Sequence, residues 1–383
     1  KGHDDQHEAM KRVVKSIYAP TRYVFVADRF SNFISVTDIV SGEHVETLDF
    51  SMRPHVMELA RDDAMLAVGS PEVSAIEFMN LRTRERRRVE LPSPVFQIFF
   101  VPQTNLVAVG LRDQVGMISY KDFSVRIFPR RFDSDQRQTL INTYYSLLFS
   151  SFSQSFWVLD EDRPFIYHRY GGAEPLDAPW KTIDLSRHIG TGSGLGIGVA
   201  SPEDDLLAMT TDDGSEGLVY FPAHDKVLST GPMRTVGSTN EPMIMPYIDA
   251  YSKHVIFADM EGNVALFDLV NGNGKPERFT VKFSPRFIRT GWLESTWILA
   301  GDKGIMFQSF KDPSDRKVVR FVPEVMNMWV TGDSKTALYT LDEGAPTIYR
   351  FDIRTREQLP PIRVRGVTMA SMLRMGSNNS ICY

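Results

Sequence analysis

The chain has 383 residues, 42% hydrophobic and 24% charged, which is the composition of a globular protein able to bury a large core without disulfides or metals. A net charge of -5 argues against a general nucleic-acid binder, and the single cysteine, Cys382, excludes an intramolecular disulfide and a cysteine-based zinc or iron–sulfur site. No apolar run approaches about 18 residues, so no membrane-spanning helix is predicted.

Short apolar segments recur along the chain at spacings of 40 to 50 residues. In chain order they begin at Tyr23, Met65, Leu106, Phe156, Leu206, His254, Trp297 and Ala337. Several are followed by a polar turn and a second apolar segment, such as residues 33–37 and 264–267, without the periodicity of an amphipathic helix. Strand-length segments separated by turn residues predict an all-β protein.

A further strand precedes many of these units and often begins with proline, as at Pro54, Pro94 and Pro285. Proline is tolerated at the first residue of a strand, because its missing N–H interrupts no ladder bond there. Four strands per unit of this length is the repeat of a β-propeller blade. The sequence therefore predicts a single all-β propeller of eight four-stranded blades, with seven left open if the irregular region 131–160 has been overcounted.

The C-terminal residues 367–373 read as one more innermost strand, which predicts that the termini close the ring and remove an open sheet edge. The expected organisation is a polar N-terminal tail over residues 1–15 and a propeller over residues 16–383.

An insertion at about residues 128–145 interrupts the predicted repeat. It contains Arg130, Arg131, Tyr144 and Tyr145, which are residue types enriched at interface hot spots. Loops on a rigid scaffold often carry specificity, so these residues are predicted to contact another polypeptide. The alternative is a surface insertion that packs on its own blade.

Acidic residues recur in the turns of the repeat, among them Asp28, Asp160 and Asp259. Together they could make one face of the propeller negative and attract a basic partner. Aspartate is also an ordinary turn residue, because its side chain accepts hydrogen bonds from its own backbone. Turn chemistry explains most of these positions.

The run from Val26 to Gly42, with its Ser-Asn-Phe-Ile-Ser-Val-Thr-Asp core and closing Ser-Gly turn, resembles the YVTN-type propeller repeat. Residues 263–272 look like a second copy, and the unit that starts at Ala337 is a looser third. Related propellers include non-catalytic subunits of periplasmic quinoprotein amine dehydrogenases and of other redox complexes. The haem d1-binding propellers are similar in layout. The resemblance thus implies an exported, periplasmic protein.

Two function classes follow from this resemblance. The first is a non-catalytic subunit or binding scaffold of an exported multi-subunit complex, such as a bacterial redox enzyme of the amine dehydrogenase or hydrazine synthase type, whose partner subunits could carry haem or another redox cofactor. The second is a propeller that holds a metal or tetrapyrrole in its central funnel as a carrier or accessory factor. A cytosolic WD40-like scaffold is a further alternative, disfavoured because the sequence has no Trp-Asp dipeptide.

No catalytic constellation is readable, so no catalytic site, cofactor or nucleic-acid partner is predicted for this chain itself. Three residues that follow or lie near the strand-opening prolines are predicted to face the funnel mouth: His55, Arg286 and Glu324. They could orient an anionic ligand or a partner side chain. The alternative is that they satisfy backbone groups at a hydrated channel mouth.

The first three residues, Lys1-Gly-His3, have the arrangement of an amino-terminal Cu(II) site, in which an amine, two backbone nitrogens and the His3 imidazole supply square-planar ligands. This metal site requires Lys1 to be the mature terminus. The alternative is a solvated polar tail.

Overall fold

The computed structural model describes residues 22–60, 64–129, 146–172, 174–190, 194–202, 205–234, 243–320, 324–341 and 346–375. Its strands form eight four-stranded antiparallel sheets, which are the blades of a propeller. The predicted all-β fold with eight blades is therefore confirmed, and the seven-bladed alternative is wrong. The predicted N-terminal tail and nearly all of the 128–145 insertion, including its arginines and tyrosines, lie outside the described residues.

The first four blades follow the chain from its N-terminal side. Blade 1 contains β1 (Tyr23–Asp28), β2 (Phe33–Asp38), β3 (His44–Asp49) and β32 (Ala370–Met375); blade 2 contains β4 (Val56–Ala60), β5 (Met65–Ser70), β6 (Val73–Asn80) and β7 (Arg86–Glu90); blade 3 contains β8 (Val95–Phe100), β9 (Leu106–Leu111), β10 (Gln114–Ser119) and β11 (Ser124–Pro129); blade 4 contains β12 (Leu147–Ser150), β13 (Ser155–Leu159), β14 (Phe165–Tyr170) and β15 (Lys181–Asp184).

The other four blades continue in the same order. Blade 5 contains β16 (Leu195–Ala200), β17 (Leu207–Thr211), β18 (Glu216–Phe221) and β19 (Lys226–Pro232); blade 6 contains β20 (Tyr247–Ile248), β21 (His254–Ala258), β22 (Asn263–Asp268) and β23 (Glu277–Thr280); blade 7 contains β24 (Ser284–Gly291), β25 (Thr296–Asp302), β26 (Gly304–Ser309) and β27 (Arg316–Val319); blade 8 contains β28 (Val325–Val330), β29 (Thr336–Leu341), β30 (Thr347–Asp352) and β31 (Gln358–Arg363).

Helix is almost absent from the described ranges. A four-residue helix, α1 (Ser186–Ile189), and a 3-10 turn over Pro222–His224 both lie in connections between strands. Among the residues with described structure, no helix is long and apolar enough to cross a membrane.

Blade 1 is assembled from both ends of the described chain. The last strand, β32, pairs antiparallel with β1, with Leu373 opposite Val26 and Met375 opposite Val24. It forms the inner strand of a blade whose other three strands are β1 to β3. The last strand thus covers the edge of β1 that would otherwise lack a pairing partner.

The hydrophobic core is divided among the eight gaps between neighbouring blades. Each of the eight buried clusters combines side chains from two adjacent blades. Between blades 5 and 6, for example, Ala208 and Val219 pack with Phe257 and Phe267. A Cβ atom at Gly217 would lie 2.5 Å from the Phe257 ring, so the absence of a side chain at this position leaves room for the ring. The two middle strands of the blades are mostly apolar on both faces for this reason.

The acidic turn residues have a structural role. Asp28, Asp160 and Asp259 are fully buried at the end of β1, β13 and β21. Each carboxylate accepts backbone N–H groups of its own turn, at 2.8 Å from Phe30, 2.9 Å from Asp162 and 3.0 Å from Glu261. These residues therefore stabilise turns, as the simpler interpretation of the sequence proposed.

His168 on β14 is a titratable group in the packing of blade 4. Its Nε2 and the Ser155 hydroxyl are 2.8 Å apart, and its ring lies 4.1 Å from the Trp157 ring and 4.7 Å from that of Tyr170. Burial, with a smaller contribution from nearby Lys181, lowers its pKa from 6.5 to about 4. The folded protein therefore contains neutral His168 at pH 7.

We expect this pKa shift to make the fold less stable in mild acid. An unfolded chain takes up a proton on this residue below about pH 6.5, whereas the folded chain does so only near pH 4, so stability is complete above pH 6.5 and falls between these values. The free energy of unfolding of the wild type, measured in urea, should fall by roughly 2 kcal/mol more than that of His168→Gln between about pH 7.5 and 5. The exposed His224→Gln variant should follow the wild type; equal pH profiles for all three proteins would refute this assignment.

Candidate functional site

The inner strands of the blades surround a central cavity of 660 Å³. Its walls come from β4, β8, β12, β16, β24, β28 and β32, and from residues 243–247 of blade 6. This volume lies within the range of roughly 300–1,000 Å³ that is typical of small-molecule sites. The propeller axis therefore contains a cavity of the size that small-molecule sites have.

The three predicted funnel-mouth residues lie at the starts of the inner strands. His55 precedes β4 and Arg286 lies near the start of β24, and both line the cavity. Glu324 precedes β28 and pairs with Arg286, whose Nε lies 3.1 Å from the carboxylate. The structure thus brings Arg286 and Glu324 together. His55 lies in another part of the same mouth, because β28 and β32 separate β24 from β4 in the ring.

His55 is exposed at this mouth and is neutral at pH 7. Partial burial of the ring lowers its pKa, neighbouring Arg53 lowers it further, and Glu72 opposes them. A neutral imidazole can accept a hydrogen bond or ligate a metal ion. In the described part of the chain, however, no group of three or more histidine, cysteine, aspartate or glutamate side chains is arranged to hold a metal.

Deeper in the cavity lies a group that the sequence analysis missed, the inner polar cluster of Glu58, Arg289, Trp329 and Arg374. These residues lie on the inner strands of four consecutive blades, 2, 7, 8 and 1. Each directly follows a buried residue of its strand: Met57, Ile288, Met328 and Leu373. Glu58 and Arg289 are each three residues, about 10 Å, further along the strand than His55 and Arg286.

Arg374 is the most enclosed member of this cluster. Its guanidinium forms an ion pair with Glu58, and the two side chains are only 7% and 12% exposed. The same guanidinium lies 4.2 Å from the centre of the Trp329 ring. A cation over an indole face is attracted by the ring quadrupole, so Trp329 holds Arg374 by a contact that is independent of the ion pair.

Arg289 also contacts this indole. Its guanidinium is 4.7 Å from the Trp329 ring centre, and it donates hydrogen bonds of 3.0 Å to the Met328 carbonyl and 2.8 Å to the Ile288 carbonyl. These carbonyls belong to inner strands β28 and β24. The two arginines that contact Trp329 thus come from the two blades that flank its own.

The opposite wall of the cavity is largely apolar and lies on blades 3 to 6. Its aromatic side chains include Phe99 and Phe149, whose rings are 5.6 Å apart. Further apolar side chains on this wall are Phe96, Phe100, Leu148, Ile197, Val199, Met243, Met245 and Met260. Phenylalanine and methionine provide a broad polarizable surface that adapts to the shape of an apolar ligand.

Charge in the cavity has the opposite sign to charge in the chain as a whole. The charged side chains among the described lining residues are three arginines, Arg286, Arg289 and Arg374, and one glutamate, Glu58. The chain as a whole carries a net charge of -5. Guanidinium groups recognise carboxylates with their planar fork of donors. The cavity therefore suits a molecule with a large apolar body and an acidic end.

Other predicted site residues cannot be placed against this cavity. His3 of the proposed amino-terminal copper site lies outside the described residues, as do Arg130, Arg131, Tyr144 and Tyr145 of the proposed interface.

The chain was compared with known families, sequences and structures. No protein-family model matches it, and no curated protein sequence matches it. The dihydro-heme d1 dehydrogenase NirN, determined in complex with DHE, is structurally similar with a TM-score of 0.70 at 13% identity, over 94% of this chain and 76% of NirN.

Two further solved structures are also similar. Apo AztD from Citrobacter koseri has a TM-score of 0.57 at 10% identity, over 93% of this chain and 98% of AztD. The computationally designed protein Ika8 has a TM-score of 0.55 at 12% identity, over 80% of this chain and 86% of Ika8. At these identities the likeness establishes the propeller fold alone, and the YVTN-type label is not confirmed.

The Glu58–Arg374 pair gives a test of how the cluster is held. We expect Arg374→Met to lower the free energy of unfolding by about 3–5 kcal/mol, because Glu58 is left as an unpaired carboxylate in an enclosed site. The double variant Glu58→Met/Arg374→Met should recover most of this loss, since it removes both charges. Urea unfolding of the wild type, Glu58→Met, Arg374→Met and the double variant measures the coupling between the two side chains. Additive effects of the two substitutions would contradict the described ion pair.

Proposed function

We propose that this chain is a ligand-binding propeller, whose central cavity takes a small molecule with a large apolar body and at least one carboxylate. The observation that carries the proposal is the division of the cavity into a phenylalanine- and methionine-rich wall and a facing cluster of arginines. An apolar body gains from burial against the first wall, at about 25 cal/mol per Å². The arginines provide the charge-assisted hydrogen bonds that an acidic end needs.

A tetrapyrrole is the class of ligand that we favour. Its broad macrocycle matches the apolar wall, and its carboxylates match Arg286, Arg289 and Arg374. The choice is supported by the structural similarity to the dihydro-heme d1 dehydrogenase NirN, which was determined in complex with DHE. A bound tetrapyrrole would supply a metal centre, for which His55 and the thioethers of the wall are donor groups. The proposed role is that of a carrier or accessory factor, with no chemistry assigned to the chain.

Titration with iron protoporphyrin IX tests this proposal. We expect the wild type to bind the probe with a dissociation constant in the micromolar range or below, with quenching of tryptophan fluorescence and a shift of the Soret band. Arg289→Met should weaken binding by about tenfold or more, because it removes a guanidinium from the acidic end of the site.

The matched control is Arg354→Met, which removes an arginine from an exposed turn outside the cavity. It should bind the probe as the wild type does. The absence of probe binding by the wild type, or an equal loss in the control, would reject the ligand-binding proposal.

A second candidate function is favoured by one face of the ring. Phe152, Tyr251 and Leu293 are 70%, 55% and 80% exposed on the turns that follow inner strands β12, β20 and β24. Contacts between neighbouring turns join them, including a 2.7 Å hydrogen bond from Ser153 to Asp205. Leu293 lies in a run of three residues with φ of 50°, 55° and 61°, which is strained for residues other than glycine.

Exposed apolar side chains grouped around a channel mouth are typical of an interaction surface. They support a role as a non-catalytic subunit or scaffold, for which we propose the exported, periplasmic redox complex that the sequence resemblance implies. A subunit of this kind and a ligand carrier are compatible, because the two roles use different surfaces.

Purification from the native source tests the subunit role. We expect a stoichiometric partner chain to accompany the wild type and to be lost from the double variant Phe152→Ser/Leu293→Ser, since the apolar contact area is removed. The control Phe30→Ser changes an exposed phenylalanine on the turn between β1 and β2, at the other end of the strands. A protein that is monomeric in its native source would exclude this role.

A further inference from the structure

Glu58 is the one acidic side chain among the described residues that line the cavity, and it contacts Arg374. We propose that Glu58 is an internal competitor: it holds the Arg374 guanidinium when the cavity contains no ligand and yields it to the ligand's carboxylate. The inference rests on the proposed ligand-binding function and identifies the residue that sets the affinity and the selectivity of that site for acids.

The geometry places Glu58 where a ligand carboxylate would bind. A guanidinium presents its donors in one plane as a fork, and carboxylates bind it in that plane. Because the Arg374 guanidinium lies over the Trp329 ring, 4.2 Å from the ring centre, we expect a carboxylate to approach this cation at its edge. Glu58 already contacts this guanidinium. An acidic ligand must therefore share or replace this contact.

Glu58 is not the only group that holds Arg374. The Trp329 ring centre lies 4.2 Å from the Arg374 guanidinium and 4.7 Å from that of the second arginine, Arg289. The Glu58 carboxylate thus acts on Arg374 mainly through its charge and less by orienting the guanidinium. Two carboxylates near one enclosed guanidinium also repel each other, which weakens binding of an acidic ligand further.

This arrangement has two consequences for the site. An acidic ligand binds less tightly than the apolar wall and the arginines would allow, because part of the interaction energy is used to separate Glu58 from Arg374. A neutral analogue leaves the ion pair intact and is unaffected by Glu58. Removal of the Glu58 charge should therefore favour acids specifically.

The experiment compares two probes, iron protoporphyrin IX and its dimethyl ester, on the wild type, Glu58→Gln and Glu46→Gln. Glu46 is the matched control, because it forms a part-buried pair with Arg84 between blades 1 and 2, away from the cavity. We expect Glu58→Gln to bind the diacid about tenfold more tightly than the wild type and the diester with unchanged affinity. Glu46→Gln should match the wild type with both probes.

The possible results separate the two proposals. If the wild type binds neither probe, the ligand-binding function fails and the competitor role fails with it. If the wild type binds the diacid but Glu58→Gln binds it equally or more weakly, the competitor role alone is overturned. An equal gain for diacid and diester also overturns it, since Glu58 would then act through packing and not through charge.

A second variant serves if Glu58→Gln does not fold. In Glu58→Gln/Arg374→Gln the two amides can hydrogen-bond to each other, so both charges are removed together. We expect this protein to bind the diacid no more tightly than the wild type, because Arg374 is absent, while Arg286 and Arg289 keep a preference for the diacid over the diester. Tighter binding of the diacid by the double variant than by the wild type would show that Glu58 does not act by holding Arg374 and would overturn the inference.

Discussion

The pairing of β32 with β1 is the interaction on which the geometry of the ring depends. It supplies the inner strand of blade 1, and its apolar residues complete the clusters on both sides of that blade. A propeller has no layer beneath it, so each blade is held by its two neighbours and an incomplete blade would expose two interfaces at once. Closure therefore contributes to packing all around the channel and fixes the diameter of the cavity.

The fold could be predicted from the sequence because its signal is repeated many times. The regular spacing of apolar segments from Tyr23 to Ala337 and the prolines before the inner strands can be recognised without any knowledge of contacts. The acidic turn residues were also interpretable, since Asp28 and Asp160 follow apolar strands in the way that turn aspartates do. Residues 130–145, by contrast, have no repeated counterpart, and their predicted role as an interface stays a prediction.

The site was only partly predictable, for a physical reason. His55 and Arg286 follow prolines, which mark the start of an inner strand, and both line the cavity. Glu58 and Arg289 lie further along the same strands, where bulges such as the one between Pro285 and Phe287 shift the alternation of side chains. The available signal was a charged or aromatic residue placed directly after a buried one in an otherwise apolar strand. The sequence also does not show that β32 joins blade 1, and this must be known before Arg374 can be placed beside Glu58 on blade 2.

The position of Arg374 on the closing strand also links the site to the order of synthesis. Three strands of blade 1 and all of blades 2 to 8 precede β32 along the chain. While they emerge from the ribosome, the Trp329 ring lacks one of its two cations and Glu58 lacks Arg374. A nascent chain thus contains the apolar wall without the complete inner polar cluster. This cluster is complete only once β32 has paired with β1, so the ligand proposed above would meet all of its charged groups only in the closed ring.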